Sequence, residues 1–101
     1  MSAEPYAIVT LQNQPDRRFA VLSYPGLDAT GAIVIAPLLK KGDIAIVDVL
    51  HPVVEIDGEN RVLAVERLAG VPPSLIAASA GSLLAYEYPI QRALARLFFG
   101  N

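Results

Sequence analysis

The chain has 101 residues, 53% of them hydrophobic and 18% charged, with a formal net charge of −2. That length excludes a multidomain enzyme, and that composition excludes a disordered chain, which would be poor in apolar residues and rich in charge. The eight basic residues include no block longer than the pairs Arg17-Arg18 and Lys40-Lys41. Affinity through phosphate neutralisation is therefore not indicated, and direct nucleic-acid binding is not expected.

Without cysteine there is no disulfide framework, thiolate zinc site or cysteine nucleophile, which suits a reducing compartment. Met1-Ser2-Ala3-Glu4-Pro5 has no basic start and no apolar run, so no signal peptide is expected. Leu68 to Tyr86 is free of charge, but Gly70, Pro72, Pro73 and Gly81 interrupt it too often for a membrane-spanning helix. The mean hydropathy of +0.44 fits a dense core plus an apolar partner surface. The expectation is a soluble, cytoplasmic protein forming one domain over residues 1–101.

In chain order, β-branched and alternating runs predict strands at Tyr6 to Leu11, Phe19 to Tyr24 and Ala32 to Ala36. Asp43 to Ile56 reads as a long strand, with Pro52 marking a bend or an exposed edge. Asp57-Gly58 predicts a tight hairpin turn. The returning strand, Arg61 to Glu66, would put Val62, Ala64 and Glu66 on one face and Leu63 and Val65 on the other. Val71-Pro72-Pro73 forces an extended segment, and Ser74 to Ile76 reads as one more short strand. From about Tyr86 the pattern turns helical. Ile90, Ala93, Leu94, Leu97 and Phe98 form one stripe, Pro89 sits in the first turn, and Gly100 is placed as the C-cap. Arg92 and Arg96 favour the negative end of the helix dipole.

Catalytic constellations are thin. His51, the sole histidine, reads as a structural residue, since no orienting carboxylate or nucleophile is evident beside it. Asp57 and Glu59 read as solvated turn carboxylates. Ser79-Ala80-Gly81-Ser82 lacks the lysine and helix start of a phosphate cradle, and no dinucleotide or metalloprotease motif occurs. At the C-terminus, Leu97-Phe98-Phe99-Gly100-Asn101, the pattern alone favours core positions for both phenylalanines. The competing reading is a solvent-facing Phe99 beside the free carboxylate, an aromatic anchor for a protein partner.

Three stretches together resemble the CcdB toxin family: Pro52-Val53-Val54-x-Ile56; Ala69-x-Val71-Pro72-x-Ser74-x-Ile76; and Ile90, Ala93 and Phe98-Phe99-Gly100 before the last residue. The resemblance runs without a gap from about residue 51 to 101. Ile35-Ala36-Pro37-Leu38 and the strand from Phe19 to Leu22 align approximately. It implies a mainly β, α+β fold: a small antiparallel SH3-like barrel with a C-terminal α-helix, working as a homodimer. It also implies a non-catalytic toxin of a toxin–antitoxin pair, without cofactor or metal. Such a toxin traps DNA gyrase on cleaved DNA by binding the gyrase A chain. A CcdA-like antitoxin would neutralise it through a segment that folds on binding, with regulation of their own transcription.

In the family the gyrase contact is the terminal tryptophan, glycine and isoleucine, which correspond here to Phe99, Gly100 and Asn101. Gly100 is kept and Phe99 keeps an aromatic ring without the indole N–H, while Asn101 puts an amide where the family has an apolar side chain. Glu87 matches a family helix residue on the partner-facing side, and otherwise reads as a plain surface carboxylate. Two further readings remain. A relative with a drifted C-terminus would still bind an antitoxin or regulate its operon without poisoning gyrase. A ribonuclease like MazF or Kid, of the same small-barrel architecture, would need an arginine-lined groove and a general base.

Overall fold

A computed structural model describes residues 4–101. Met1 to Ala3, part of the run read as carrying no signal peptide, lie outside the described residues. Within the described residues, seven antiparallel strands form one curled sheet, a half-barrel, and a C-terminal helix packs on one of its faces. The strands are β1 (Ala7–Leu11), β2 (Gln14–Val21), β3 (Ile33–Lys40), β4 (Val53–Ile56), β5 (Glu59–Leu63), β6 (Ala69–Val71) and β7 (Ile76–Ser82), and the helix is α1 (Glu87–Phe99). The order across the sheet is β4-β5-β3-β2-β1-β7, with β6 continuing the ladder of β3 beyond β5. This is the small mainly-β, α+β architecture expected from the sequence.

The alternation in the strands is between two cores rather than between core and solvent. Ile8, Ala20, Ala36, Leu38, Val54 and Leu63 face α1 and pack with its Ile90 and Ala93. Their chain neighbours Val9, Phe19, Val21 and Ile35 pack on the opposite side of the sheet with Ile33, Leu11 and Ile76. Side chains alternate across a strand, so a sheet buried on both faces needs apolar residues at successive positions. That is where the high hydrophobic fraction goes. The strand expected over Arg61 to Glu66 is corrected at its end: β5 stops at Leu63 and Val65–Arg67 is a 3-10 turn, with Val62, Leu63, Ala64 and Val65 buried in succession.

Pro37 sits in mid-strand without harm. Its carbonyl accepts the Ala64 N–H at 3.0 Å, and its missing N–H falls where β5 leaves β3 and before β6 joins it.

The Asp57-Gly58 hairpin forms as expected, with φ of +53° and +81° at the two turn residues and Ile56 paired to Glu59. Gly58→Ala is expected to destabilise by about 1 kcal/mol, because a Cβ in the left-handed region clashes with the backbone. Gly70→Ala, in a strand with nothing near the added methyl, should stay within about 0.5 kcal/mol of the parent. Thermal melts of the two variants check the contrast.

Two further expectations are corrected. Of the long strand expected over Asp43 to Ile56 only Val53–Ile56 is extended, and residues 41–52 form a loop. Gly42 at φ +109° and Val49 at φ +68° turn the chain away from any ladder. The segment from Ser74 is a 3-10 turn, Pro73–Leu75, followed by β7, which runs through Ser79-Ala80-Gly81-Ser82. Six of the seven β7 residues are exposed at the sheet edge, so no apolar alternation announces it. Likewise β2 starts five residues before Phe19, in the exposed polar run from Gln14.

Candidate functional site

Helix α1 is placed by Ile90 and Ala93, both fully buried, with Leu94 and Leu97 half-buried beside them. At 100° per residue Phe99 stands about 180° around the helix from Ile90, and it is 76% exposed. Phe98 lies on the shoulder and is 61% exposed. Neither phenylalanine is core, which corrects the placement of Phe98 in the buried stripe and supports the outward reading of Phe99. The two rings are tilted at 55° with centroids 6.4 Å apart. Chain-neighbouring rings are thus presented as one aromatic ridge.

The end of the helix is held firmly for a chain terminus. Gly100 takes φ +71° and its N–H donates to the Arg96 carbonyl at 3.0 Å, closing the helix. Arg96 Nη1 donates in turn to the Gly100 carbonyl at 3.2 Å. A left-handed C-cap costs glycine least, so Gly100 fixes the direction in which Asn101 leaves. Asn101 is exposed. Phe99, Gly100 and Asn101 therefore form one exposed tip.

Glu87 is also exposed, but it is the first residue of α1. At 1.5 Å per residue it lies about 18 Å along the helix from Phe99. The structure does not bring it to the tip. Between the two ends the outer face carries Tyr88, with the Arg92 guanidinium 5.8 Å from its ring centroid. Around the other shoulder, Phe98 walls an apolar groove of about 460 Å³ with Tyr24, Leu27, Val34, Leu68 and Leu94. Tyr24 is itself exposed. Exposed aromatic rings thus run from Tyr24 across Phe98 to Phe99, a contact surface larger than the three-residue tip alone.

His51 is buried at 5% exposure and engaged at both nitrogens. Nδ1 accepts the Val47 N–H at 2.9 Å, and Nε2 faces both Glu66 carboxylate oxygens at 2.8 and 2.9 Å. The orienting carboxylate that sequence spacing did not reveal is Glu66, fifteen residues on, in the 3-10 turn Val65–Arg67. The pair's contacts are to the backbone and to each other, and they hold a loop in place.

Arg17, Arg18, Lys40 and Arg61 line a cavity of about 410 Å³, but Asp16 and Asp43 line it with them. Arg18 pairs with Asp57 at 3.5 Å and Arg61 with Glu59 at 3.0 Å. This cavity is thus charge-mixed rather than cationic. Among the described residues no group of three or more His, Cys, Asp or Glu is placed to hold a metal ion, and no helix is long and apolar enough to cross a membrane.

No curated protein matches the chain. The family model described as CcdB protein matches residues 18–100, a span from the second half of β2 through the Gly100 cap that includes Glu87, Phe99 and Gly100 and stops one residue short of Asn101. The chain belongs to the CcdB toxin family.

Proposed function

We propose that this protein is the toxin of a toxin–antitoxin pair that binds the A chain of DNA gyrase and traps the cleaved gyrase–DNA complex. It acts by binding, as a homodimer in the cytoplasm, with residues 1–101 as one toxin domain. Phe99, Gly100 and Asn101 are the gyrase contact, and Glu87 is a peripheral one. The observation that carries this reading is Phe99, an aromatic ring held outside the core at the capped end of α1. Aromatic rings are enriched at protein interfaces, and one buried in a partner pocket contributes a large apolar area to affinity. Family membership over residues 18–100 supports gyrase as the partner. A CcdA-like antitoxin would neutralise the toxin, and the pair would regulate its own transcription.

Titration of the protein against the dimerisation fragment of its own host's gyrase A, by calorimetry or surface resonance, tests the contact. Saturable binding at one toxin dimer per fragment dimer is expected, and no binding by a folded, dimeric protein would sink it.

Asn101 favours a second reading. An amide in place of an apolar end residue leaves polar groups needing partners if buried, so a relative that binds antitoxin but not gyrase is the alternative. Antitoxin binding without gyrase binding selects it. A ribonuclease reading has less support, since His51 is buried and committed to Val47 and Glu66 and Arg18 and Arg61 of the charge-mixed cavity are paired with carboxylates.

A further inference from the structure

The loop between β3 and β4 ends in an uncommon turn. The Leu50 N–H donates to the Asp48 carbonyl at 2.8 Å around Val49, whose φ is +68°. This is a γ-turn in its strained, left-handed form, centred on a β-branched residue that disfavours positive φ. Strain of this kind persists only where its surroundings over-determine it.

What holds the turn is visible. The His51 N–H donates to the Val47 carbonyl at 3.0 Å, and the Val47 N–H donates back to His51 Nδ1 at 2.9 Å. The second bond requires Nδ1 to be an acceptor, so the ring carries its proton on Nε2 and gives it to Glu66. Glu66 reaches the ring from the turn Val65–Arg67. Asp48 of the loop and Arg92 of α1 are the other charged groups lining the cavity of about 300 Å³ beside it, with uncharged Pro52, Val53 and Pro89 completing the wall.

The loop held in this way presents Ile46 and Val47 to solvent, 42% and 51% exposed. We propose that His51 is a proton-operated latch: the neutral ring holds the strained 47–50 turn closed, and protonation of Nδ1 releases it. A cationic ring donates from both nitrogens. Its Nε2–H keeps the Glu66 carboxylate, while its Nδ1–H meets the Val47 N–H donor to donor. The ring therefore stays on Glu66 and the loop leaves, relieving Val49 and changing how Ile46 and Val47 are presented. Acidity is thereby coupled to one exposed apolar loop.

The test is hydrogen exchange of the Val47 amide by NMR on the full-length protein. It compares pH of about 8 with about 5, with protection corrected for intrinsic exchange. Two variants separate the two nitrogens. His51→Asn keeps an acceptor near the Nδ1 position and cannot titrate in this range, and His51→Gln keeps a donor toward Glu66 and loses the acceptor.

In the parent, Val47 protection is expected to fall at least about tenfold on acidification, while the buried Val62 and Ile90 amides stay protected. His51→Asn should hold Val47 protected at both pH values, and His51→Gln should leave it unprotected at both. Equal protection of the parent at both pH values overturns the latch. So does acid opening of His51→Asn to the same extent as the parent, or a ring nitrogen spectrum that places the neutral proton on Nδ1.

Discussion

Phe99→Ala is expected to cut affinity for the host's gyrase A by at least about 30-fold, the equivalent of ~2 kcal/mol for a central aromatic anchor, while leaving the fold intact. The ring lies on the side of α1 opposite Ile90 and touches Phe98 rather than the core. Removing it gives up almost no area buried on folding, so Tm should move by no more than about 2 °C. The helix end does not depend on it either, since the cap is made by the Gly100 N–H and the Arg96 carbonyl. Parallel calorimetry and thermal melts read both quantities. A Tm loss comparable to that of a core variant would mean that the ring is structural, and unchanged affinity would mean that the tip is not the contact.

Ile90→Ala should behave in the opposite way. Ile90 is fully buried between α1 and the sheet, among Ile8, Val54, Leu63, Val65 and Leu83. Its truncation removes three methyl or methylene groups and leaves a cavity that packed strands on one side cannot collapse into, a cost of about 3–5 kcal/mol. For a chain of this size that lowers Tm by more than about 10 °C. Since α1 carries both the core stripe and the aromatic tip, loosening Ile90 should also weaken partner binding, but only in proportion to the unfolded fraction. A drop in Tm under about 3 °C would show that the helix is not anchored through this residue.

What could be read from the residues follows from where they are buried. Runs such as Ile8-Val9, Ala20-Val21 and Ile35-Ala36 are apolar at successive positions because they serve two cores, and their β-branched residues marked β1, the end of β2 and β3 as strands. Asp57-Gly58 marked its hairpin through the backbone conformations that glycine and aspartate tolerate. The α1 stripe and the Gly100 cap were legible for similar local reasons. Strand β7 was not, because its Ala, Ser and Gly side chains sit exposed at a sheet edge where burial imposes no pattern. The apolar stretch from Ile44 to Leu50 misled in the other direction. Its β-propensity is real, but among the described residues no neighbouring strand pairs with it, and the turn at Val49 closes on itself instead.

The tip was half legible. Helical geometry allows Phe99 to face away from Ile90, but the pattern put Phe98 in the buried stripe and favoured core positions for both phenylalanines, and only packing decided against it. The groove that Phe98 shares with Tyr24, Leu27 and Leu68 joins residues more than seventy positions apart, as Tyr24 and Phe98 are, and no spacing rule brings them together. The same holds for His51 and Glu66, whose pairing depends on the chain passing from β5 into a 3-10 turn under α1.

Whether the exposed tip of α1 poisons gyrase is decided by a DNA-cleavage assay. Purified protein, the host's own gyrase and supercoiled plasmid are incubated with ATP, and trapped complexes are opened with detergent and protease. Linear DNA should accumulate with the parent protein and disappear with Phe99→Ala. Absence of linear DNA at saturating concentrations of a folded dimer would refute gyrase poisoning, and would leave an antitoxin-binding member of the family that has lost its action on gyrase.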